Sequence, residues 1–329
     1  LLICLKRKRS GACKMLNNSK PTSFINNHTK ENPVDVAFID EAHLLLTQGK
    51  QSYRGKNQLQ DVIDRARVTV VMFDENQILT TEQYWEAQIL NYFREKAMKA
   101  RNYYVLKNQL RIKASKHVVD WIDTFTKDQR ILKLPSNLGG YDIQIFENPK
   151  ELEDALKERA SNDQHRLSRI VATYDWDYVN KASQEDRIGK YWDVIIGDWR
   201  KPWNRELEKE LSRKEKRAIK SLSWAEQPHT IDEVGSTFTI QGFDLNYVGV
   251  ILGPSVKYRD GKVVFDPEAK KYNKMTQNRS LSDGTKRKFG EELIQNEVRV
   301  LMTRGIEGLY IYACDKELRN VLLVASGRR

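Results

Sequence analysis

Two acidic stretches could do chemistry, and each stands at the end of an apolar run of strand length. In "AFIDEAH", residues 37–43, Asp40 and Glu41 close the run 34–40. Ligands bind α/β sheets at the carboxyl ends of parallel strands. There the first acid of a Walker B pair can hold magnesium, and the second can polarise the water that attacks ATP. The alternative is a strand that simply ends in a polar turn.

The second stretch, "MFDENQ" at residues 72–77, repeats the pattern after the next apolar run. It ends in Gln77, a neutral side chain that can hydrogen-bond a γ-phosphate or its attacking water. In the alternative interpretation, Gln77 only caps the helix that follows.

The elements around these stretches predict a βαβ unit. The runs 34–40 and 68–74 are apolar throughout, and apolar residues at helical spacing lie between them in "NQLQDVIDRAR". Two continuous apolar strands that flank a helix are typical of a parallel sheet covered on both faces. The same signals recur later, as strands at 169–175, 247–253 and 309–315 and as helices at 118–125 and 291–304.

The remaining sequence sets the predicted boundaries. We expect a domain boundary near residue 100, within the basic stretch "FREKAMKARN". The polar segment at about 254–290 is too long for a plain connection, and Asp260-Gly261 between β-prone residues predicts a hairpin there. We interpret this segment as a surface insertion. Gly305 is expected to cap the helix 291–304.

Composition favours a protein with a polyanionic partner. The 329 residues allow about two domains. Lys and Arg exceed Asp and Glu by 56 − 45 = 11, and the pI is about 9.3, which favours nucleic acid as that partner.

No apolar run reaches the roughly 18 residues of a membrane span. The three cysteines form no pair or CxxC motif, which predicts a reducing cytoplasm and argues against zinc.

Further candidate residues lie in the second half of the chain. Arg111 follows a predicted short strand, and Gln241-Gly242 with Asp244 stands between two predicted strands. Arg304 closes a predicted helix just before a strand. Guanidinium suits phosphate because it is permanently charged and forms a planar fork. The alternative for each arginine is a surface salt bridge.

In this order, these motifs resemble those of superfamily 1 helicases. More narrowly, the sequence resembles the Schlafen group 3-like DNA/RNA helicase domain along essentially the whole chain. The stretches that carry the resemblance are "DEAH", "DENQ", "QLR", "TIQGFDLNYVGVILGPSVKYRDGKVV" and "VRVLMTRGIEGLYIY". One departure is Phe238-Thr239, where the family usually has His-Thr.

The resemblance implies an α/β fold with RecA-like P-loop NTPase architecture and parallel sheets. Residues 1–100 would form part of a first RecA-like domain, and residues 101–329 a complete second one with the insertion at about 254–290. ATP and Mg²⁺ would bind in the cleft between them. The implied residues are Asp40 (magnesium), Glu41 (catalytic acid), Gln77 (γ-phosphate sensor), Arg111 and Arg304 (phosphate-facing), and Gln241, Gly242 and Asp244 (the nucleotide-binding or coupling loop).

A phosphate-cradling loop is absent from this sequence. No G-x-x-x-x-G-K-[ST] motif occurs, and residues 1–36 contain a single glycine, Gly11. The sequence also starts without Met. We therefore expect the loop upstream of Leu1 in a longer chain, which could also carry a fused effector domain, and we expect residues 1–329 to be inactive alone.

The favoured function is the ATP-hydrolysing core of a translocase or helicase that acts on single-stranded DNA or RNA, without membrane association. The alternative is a nucleotide-gated, nucleic-acid-binding switch that unwinds nothing. A metalloprotease is excluded because no HExxH motif occurs.

Overall fold

A computed structural model describes the backbone of residues 2–7 and 13–17 and all of residues 18–49, 53–106, 112–178, 190–240 and 242–328. The chain forms two compact units. The first comprises Leu1–Val105 and Asn278–Lys288, and the second comprises Leu106–Gln277 and Phe289–Arg329. Part of the predicted insertion thus belongs to the first unit.

Strands occur in both units. They are β1 Leu2–Arg7, β2 Cys13–Ser19, β3 Val34–Ile39, β4 Ala66–Val71, β5 Asp142–Ile145, β6 Arg169–Ala172, β7 Asp193–Ile196, β8 Trp199–Pro202, β9 Leu245–Leu252, β10 Val256–Arg259, β11 Lys262–Phe265, β12 Arg279–Ser280, β13 Lys286–Arg287 and β14 Gly305–Ala313.

Helices accompany the strands. They are α1 Pro21–Asn27, α2 Gln58–Ile63, α3 Ala87–Lys99, α4 Lys116–Thr126, α5 Pro149–Ala160, α6 Arg213–Ala218, α7 Thr237–Ile240, α8 Asn273–Thr276, α9 Gly290–Met302 and α10 Lys316–Ala325. Within the described residues, no helix combines the length and apolarity needed to cross a bilayer.

The sheet of the first unit has the order β2-β1-β3-β4. β3 and β4 are parallel, as the βαβ pattern predicts, and α2 lies between them in sequence. β1 runs antiparallel to both β2 and β3, so this sheet is mixed rather than purely parallel. Only residues 8–12 separate β1 from β2, and so short a connection permits only an antiparallel pair.

The sheet of the second unit has the order β5-β14-β9-β6 and is parallel throughout. This arrangement confirms the α/β, RecA-like fold class. α5 packs against β9 and β14, and α9 packs against β9 and α4. A Cβ at Gly249, in β9, would come within 2.2 Å of Leu156 Cδ1, so α5 approaches the sheet backbone more closely than a side chain would allow.

Three local predictions were wrong. The apolar run 68–74, predicted to lie in a sheet covered on both faces, forms β4, but Val68, Val70 and Val71 are 36–54% exposed. Residues 237–240, before the Gln241-Gly242 pair, form α7 rather than a strand. Local hydrogen bonds favour this turn, because Ser236 N donates to Thr239 Oγ1 and Phe238 N donates to Ser236 Oγ. In addition, α9 ends at Met302, and Gly305 begins β14 instead of capping the helix.

The predicted hairpin at Asp260-Gly261 is confirmed as the connection between β10 and β11. Asp260 and Gly261 have φ values of 51° and 76°. Two consecutive residues with positive φ are typical of a type I′ turn, which favours Asp-Gly.

Candidate active site

The ends of β3 and β4 bring the two acidic stretches to one edge of the first sheet. Ile39 pairs with Val71 in the parallel register. Beyond this pair, Met72 N donates to Ile39 O at 2.9 Å, and Ala42 N donates to Met72 O at 2.8 Å. Asp40 and Glu41 therefore leave the sheet beside the segment that leads into "DENQ".

The backbone at Glu41 is held in the left-handed region, with φ 55° and ψ 46°. Such a conformation is uncommon for a residue other than glycine and occurs in turns as well as at functional sites. The turn Ala42–Leu44 follows at once, and its His43 is 1% exposed. His43 Nε2 lies 2.9 Å from Glu41 Oε2. Asp40, by contrast, is exposed.

Asp74 organises the turn that carries Gln77. Its Oδ1 accepts hydrogen bonds from Asn76 N at 3.0 Å and Asn76 Nδ2 at 2.9 Å. Its Oδ2 accepts from Gln77 Nε2 at 2.9 Å. Asp74 is therefore the residue that caps the turn Glu75–Gln77. These bonds hold the Gln77 side chain in one orientation at the end of β4.

The donor set of the first unit fits a magnesium ion that phosphates help to bind. Within the described ranges, no group of three or more His, Cys, Asp or Glu residues could hold a metal ion alone. Magnesium at nucleotide sites takes one or two carboxylates and completes its octahedron with phosphates and water. The exposed carboxylate of Asp40, at a strand end, suits that mode of binding.

In the second unit, Arg304 and Asp244 are brought together. Leu245 N donates to Arg304 O at 2.8 Å where β9 and β14 begin. Arg304 Nη1 lies 3.8 Å from Asp244 Oδ1 and donates to Phe243 O at 3.4 Å. Both residues precede their strands, so they lie at the amino ends of β9 and β14 rather than at the carboxyl ends.

Arg304 is only 1% exposed. Its guanidinium points to the loop that contains Gly242 and Asp244. Gly242 itself is exposed and has φ 82°, a value suited to glycine. The alternative interpretation for this arginine was a surface salt bridge. The contact with Asp244 is an ion pair, but Arg304 is buried rather than at the surface. The other two candidates, Arg111 and Gln241, lie outside the described residues.

A buried charge cluster in the second unit was not predicted. Lys270, in the insertion, bonds Asp175 at 2.7 Å and also bonds Glu297 of α9. All three side chains are at most 1% exposed. Burial raises the pKa of Glu297; burial lowers that of Lys270, but the two carboxylates raise it above its ordinary value overall. No sequence signal identifies the cluster, because each member stands in a separate stretch.

Comparison with known proteins places these features in one family. An uncharacterized protein of Saccharomyces cerevisiae, YPL245W, is 34% identical over 331 residues, covering 92% of this chain and 68% of that protein. The family model for the Schlafen group 3, DNA/RNA helicase domain matches residues 5–315, which include every candidate residue above. The chain therefore belongs to the Schlafen group 3 DNA/RNA helicase domain family.

Proposed function

We propose that this chain is part of an ATP-dependent nucleic-acid translocase or helicase. The observation that carries the proposal is the parallel register of β3 and β4, which brings the Asp40-Glu41 pair next to Met72, at the start of the stretch that ends in Gln77. An acid pair and a neutral amide at adjacent strand ends are among the groups that ATP hydrolysis uses. Family membership supports a helicase-like function.

Each residue of the first unit has a distinct proposed role. Asp40 would hold Mg²⁺, which supplies neutralisation of phosphate charge when bound. Glu41 would accept a proton from the attacking water, and its short contact to His43 would keep the carboxylate aimed. Gln77, fixed by Asp74, would orient that water or contact the γ-phosphate.

The second unit would contribute arginines and a nucleotide-binding loop. We assign phosphate-facing roles to Arg111 and Arg304, since a guanidinium stabilises charge that develops on transferring phosphoryl groups. Gln241, Gly242 and Asp244 would form the loop that senses the nucleotide. The ion pair with Asp244 would hold Arg304 in place until nucleotide binds, and Arg304 must then turn from the carboxylate to reach a phosphate.

The proposed partner is single-stranded DNA or RNA, and the proposed location is the cytoplasm. The net charge of +11 supports a polyanionic partner. Exposed basic residues occur in α6 and its flank, at 213–220, and at the end of the insertion, at 286–288.

Magnesium-dependent ATP turnover tests the proposal. We expect residues 1–329 alone to show only background hydrolysis. A longer chain that also contains a phosphate-binding loop should hydrolyse ATP faster when single-stranded DNA or RNA is added. Glu41→Gln should abolish this activity, whereas Glu75→Gln, in the "DENQ" turn, should retain it. Turnover by the longer chain that is unaffected by Glu41→Gln would contradict the assignment.

A strand-displacement assay separates a helicase from a nucleotide-gated switch. A helicase releases the shorter strand of a tailed duplex only when ATP is hydrolysed. A switch shows nucleotide-dependent binding without release.

A further inference from the structure

The hairpin of β12 and β13 is built into the first unit although it comes from the second half of the sequence. The chain leaves the second unit after Gln277, contributes Asn278–Lys288 to the first unit, and returns at Phe289. Arg279 pairs with Arg287, and Ser280 with Lys286, in an antiparallel register.

The turn of this hairpin is well ordered by its own hydrogen bonds. Asp283 Oδ1 accepts from Thr285 N at 2.9 Å and from Thr285 Oγ1 at 2.7 Å. Gly284 has φ 84°, and its amide donates to Leu281 O at 3.0 Å. These hydrogen bonds give the hairpin that carries Arg279 a defined backbone conformation.

Arg279 is the buried contact of the hairpin, with 2% exposure. Its Nη1 donates to Thr81 O at 2.7 Å, and its Nη2 donates to Thr47 Oγ1 at 2.8 Å. The guanidinium also lies 5.8 Å from the ring centroid of Tyr84. Burying a cation is costly unless its donors are used. The two bonds use both terminal nitrogens of Arg279, and they therefore favour the loop positions in which both acceptors are within reach.

The two acceptors belong to the two loops that carry the candidate catalytic residues. Thr47 lies three residues beyond the turn Ala42–Leu44, and Thr81 begins the turn that follows the "DENQ" segment. Thr47 Oγ1 in turn donates to Tyr84 O at 2.6 Å. One guanidinium and one hydroxyl thus join the loop after β3 to the loop after β4.

A second contact secures the tip of the hairpin. Ser282 N lies 3.1 Å from both carboxylate oxygens of Glu86, and Ser282 Oγ donates to Glu86 Oε2 at 2.6 Å. Glu86 is the residue that precedes α3. The hairpin is therefore attached at two points, one buried and one exposed.

We propose that Arg279 is a positioning residue that holds the loop after Glu41 and the loop after Gln77 in register. The structural part of this inference stands alone, and its catalytic consequence rests on the proposed function. Arginine suits the task because its rigid fork reaches two acceptors in different directions, whereas a lysine ammonium is a single point charge on a flexible stem.

Hydrogen exchange on residues 1–329 tests the structural part. In Arg279→Ala, amides of residues 44–49 and 78–86 should exchange roughly tenfold to a hundredfold faster, since a buried charged donor is lost. Amides of α9 and β14 should be unchanged. The matched control is Arg287→Ala, which removes the exposed partner of Arg279 in the same hairpin and should leave both loops protected. Unchanged protection of the two loops in Arg279→Ala would overturn the inference.

Two milder variants keep the test decisive if Arg279→Ala does not fold. Thr47→Val removes the hydroxyl that accepts from Arg279 and donates to Tyr84 O, and Arg279→Lys keeps the charge without the fork. Each should raise exchange in the same two loops by a smaller factor than Arg279→Ala, about threefold to tenfold. Exchange at the level of the unaltered protein in both variants would count against a positioning role.

Steady-state kinetics on a longer, ATP-hydrolysing chain test the catalytic consequence. Misplacing Glu41 and Gln77 should lower kcat about tenfold or more in Arg279→Ala, with KM for ATP changed less than about twofold. Arg279→Lys should restore part of kcat. If the unaltered chain hydrolyses nothing, the proposed function fails while the exchange result still decides the positioning role. If kcat is normal in Arg279→Ala, the positioning role has no catalytic consequence and this part of the proposal is wrong.

Discussion

Arg304 and Asp244 form an ion pair in which the two partners have very different access to water. The Arg304 side chain is 2% exposed and the Asp244 side chain 35%, with 3.8 Å between Nη1 and Oδ1. Loss of the arginine leaves a carboxylate that water can hydrate, whereas loss of the carboxylate leaves a guanidinium that is buried. The pair therefore fixes the arginine more than it fixes the acid.

Arg304→Ala should lower ATP turnover by about 10³–10⁵ in a longer, hydrolysing chain, the range for arginine fingers. It should also lower the free energy of unfolding by about 1–3 kcal/mol, because a buried hydrogen-bonded charge is removed. Arg304→Lys should restore turnover only in part.

The control is Arg299→Ala, in the last turn of α9 and five residues before Arg304, which breaks the 2.9 Å ion pair with Asp123. It should cost stability without changing turnover. Turnover and melting temperature measured together decide the matter. Near-normal turnover in Arg304→Ala would show that this arginine serves only its pair with Asp244.

Glu153 should make the second unit sensitive to acid. Its Oε1 lies 2.9 Å from Lys157 Nζ and 2.7 Å from Lys201 Nζ, and Trp199 Nε1 donates to its Oε2 at 2.9 Å. Burial raises the pKa of this carboxyl, but hydrogen bonds from Lys201, Lys157 and Trp199 lower it to about 2. A lowered pKa contributes stability above the ordinary value of 4.5, which is lost as pH falls toward 2.

Glu153→Gln should therefore cost about 2–3 kcal/mol at pH 7 and clearly less at pH 3. Urea unfolding at the two pH values measures the difference. Glu151→Gln, at an exposed position on the same helix, should change stability little at either pH. An equal loss from Glu153→Gln at both pH values would rule out the proposed ion pairs as its cause.

Lys270 should be needed to keep two buried carboxylates together. Lys270→Met leaves Asp175 and Glu297 without their shared cation and should lower the free energy of unfolding by about 3–5 kcal/mol. Because burial raises the pKa of Glu297 above its ordinary value of 4.5, a proton can replace the cation, and the loss should grow as pH rises above that ordinary value.

The double variant Lys270→Met, Glu297→Gln should be more stable than Lys270→Met alone, since one buried charge is removed along with its partner. Chemical unfolding of the four proteins of this cycle gives the coupling energy. Strictly additive effects would show that Lys270 and Glu297 do not act as a unit.

Binding to single-stranded nucleic acid should weaken steeply with salt. Each phosphate contact releases condensed counterions, with a slope of about −0.7 per contact in a plot of log affinity against log salt concentration. Titrations of residues 1–329 with an oligonucleotide at two or more salt concentrations measure this slope. Affinity that does not change with salt would mean that the basic residues are only solvated surface.

Elements with a strong pattern were predictable from the sequence. The continuous apolar runs predicted β3, β9 and β14, and the 3.6-residue periodicity predicted α4 and α9. These predictions succeeded because the apolar positions of each pattern are the ones that the fold buries. The family resemblance is borne out by the match over residues 5–315.

Features that depend on distant partners were not predictable. The antiparallel pair of β1 and β2 was not predicted, because its residues form a basic segment in which the apolar run is interrupted. Lys270 stands in the polar insertion and looks like any solvated lysine, although its side chain is 0% exposed. Arg279 likewise looks like a solvated side chain in the sequence, although it is 2% exposed in the structure. Nothing in the local sequence of either residue indicates which acceptors the fold will bring to it.

The late position of Arg279 has a consequence for synthesis on the ribosome. Val105 and Asn278 are 278 − 105 = 173 residues apart, which at 5–20 residues per second corresponds to about 10–35 s of elongation. During this interval Thr81 O and Thr47 Oγ1 lack the donor that bridges them, 232 residues further along the chain in the case of Thr47. N-terminal domains generally fold first as they emerge, but the first unit here cannot gain the Arg279 bridge between its two loops until most of the second has been made. Emergence of residues 278–288 from the exit tunnel then sets the moment at which this bridge forms.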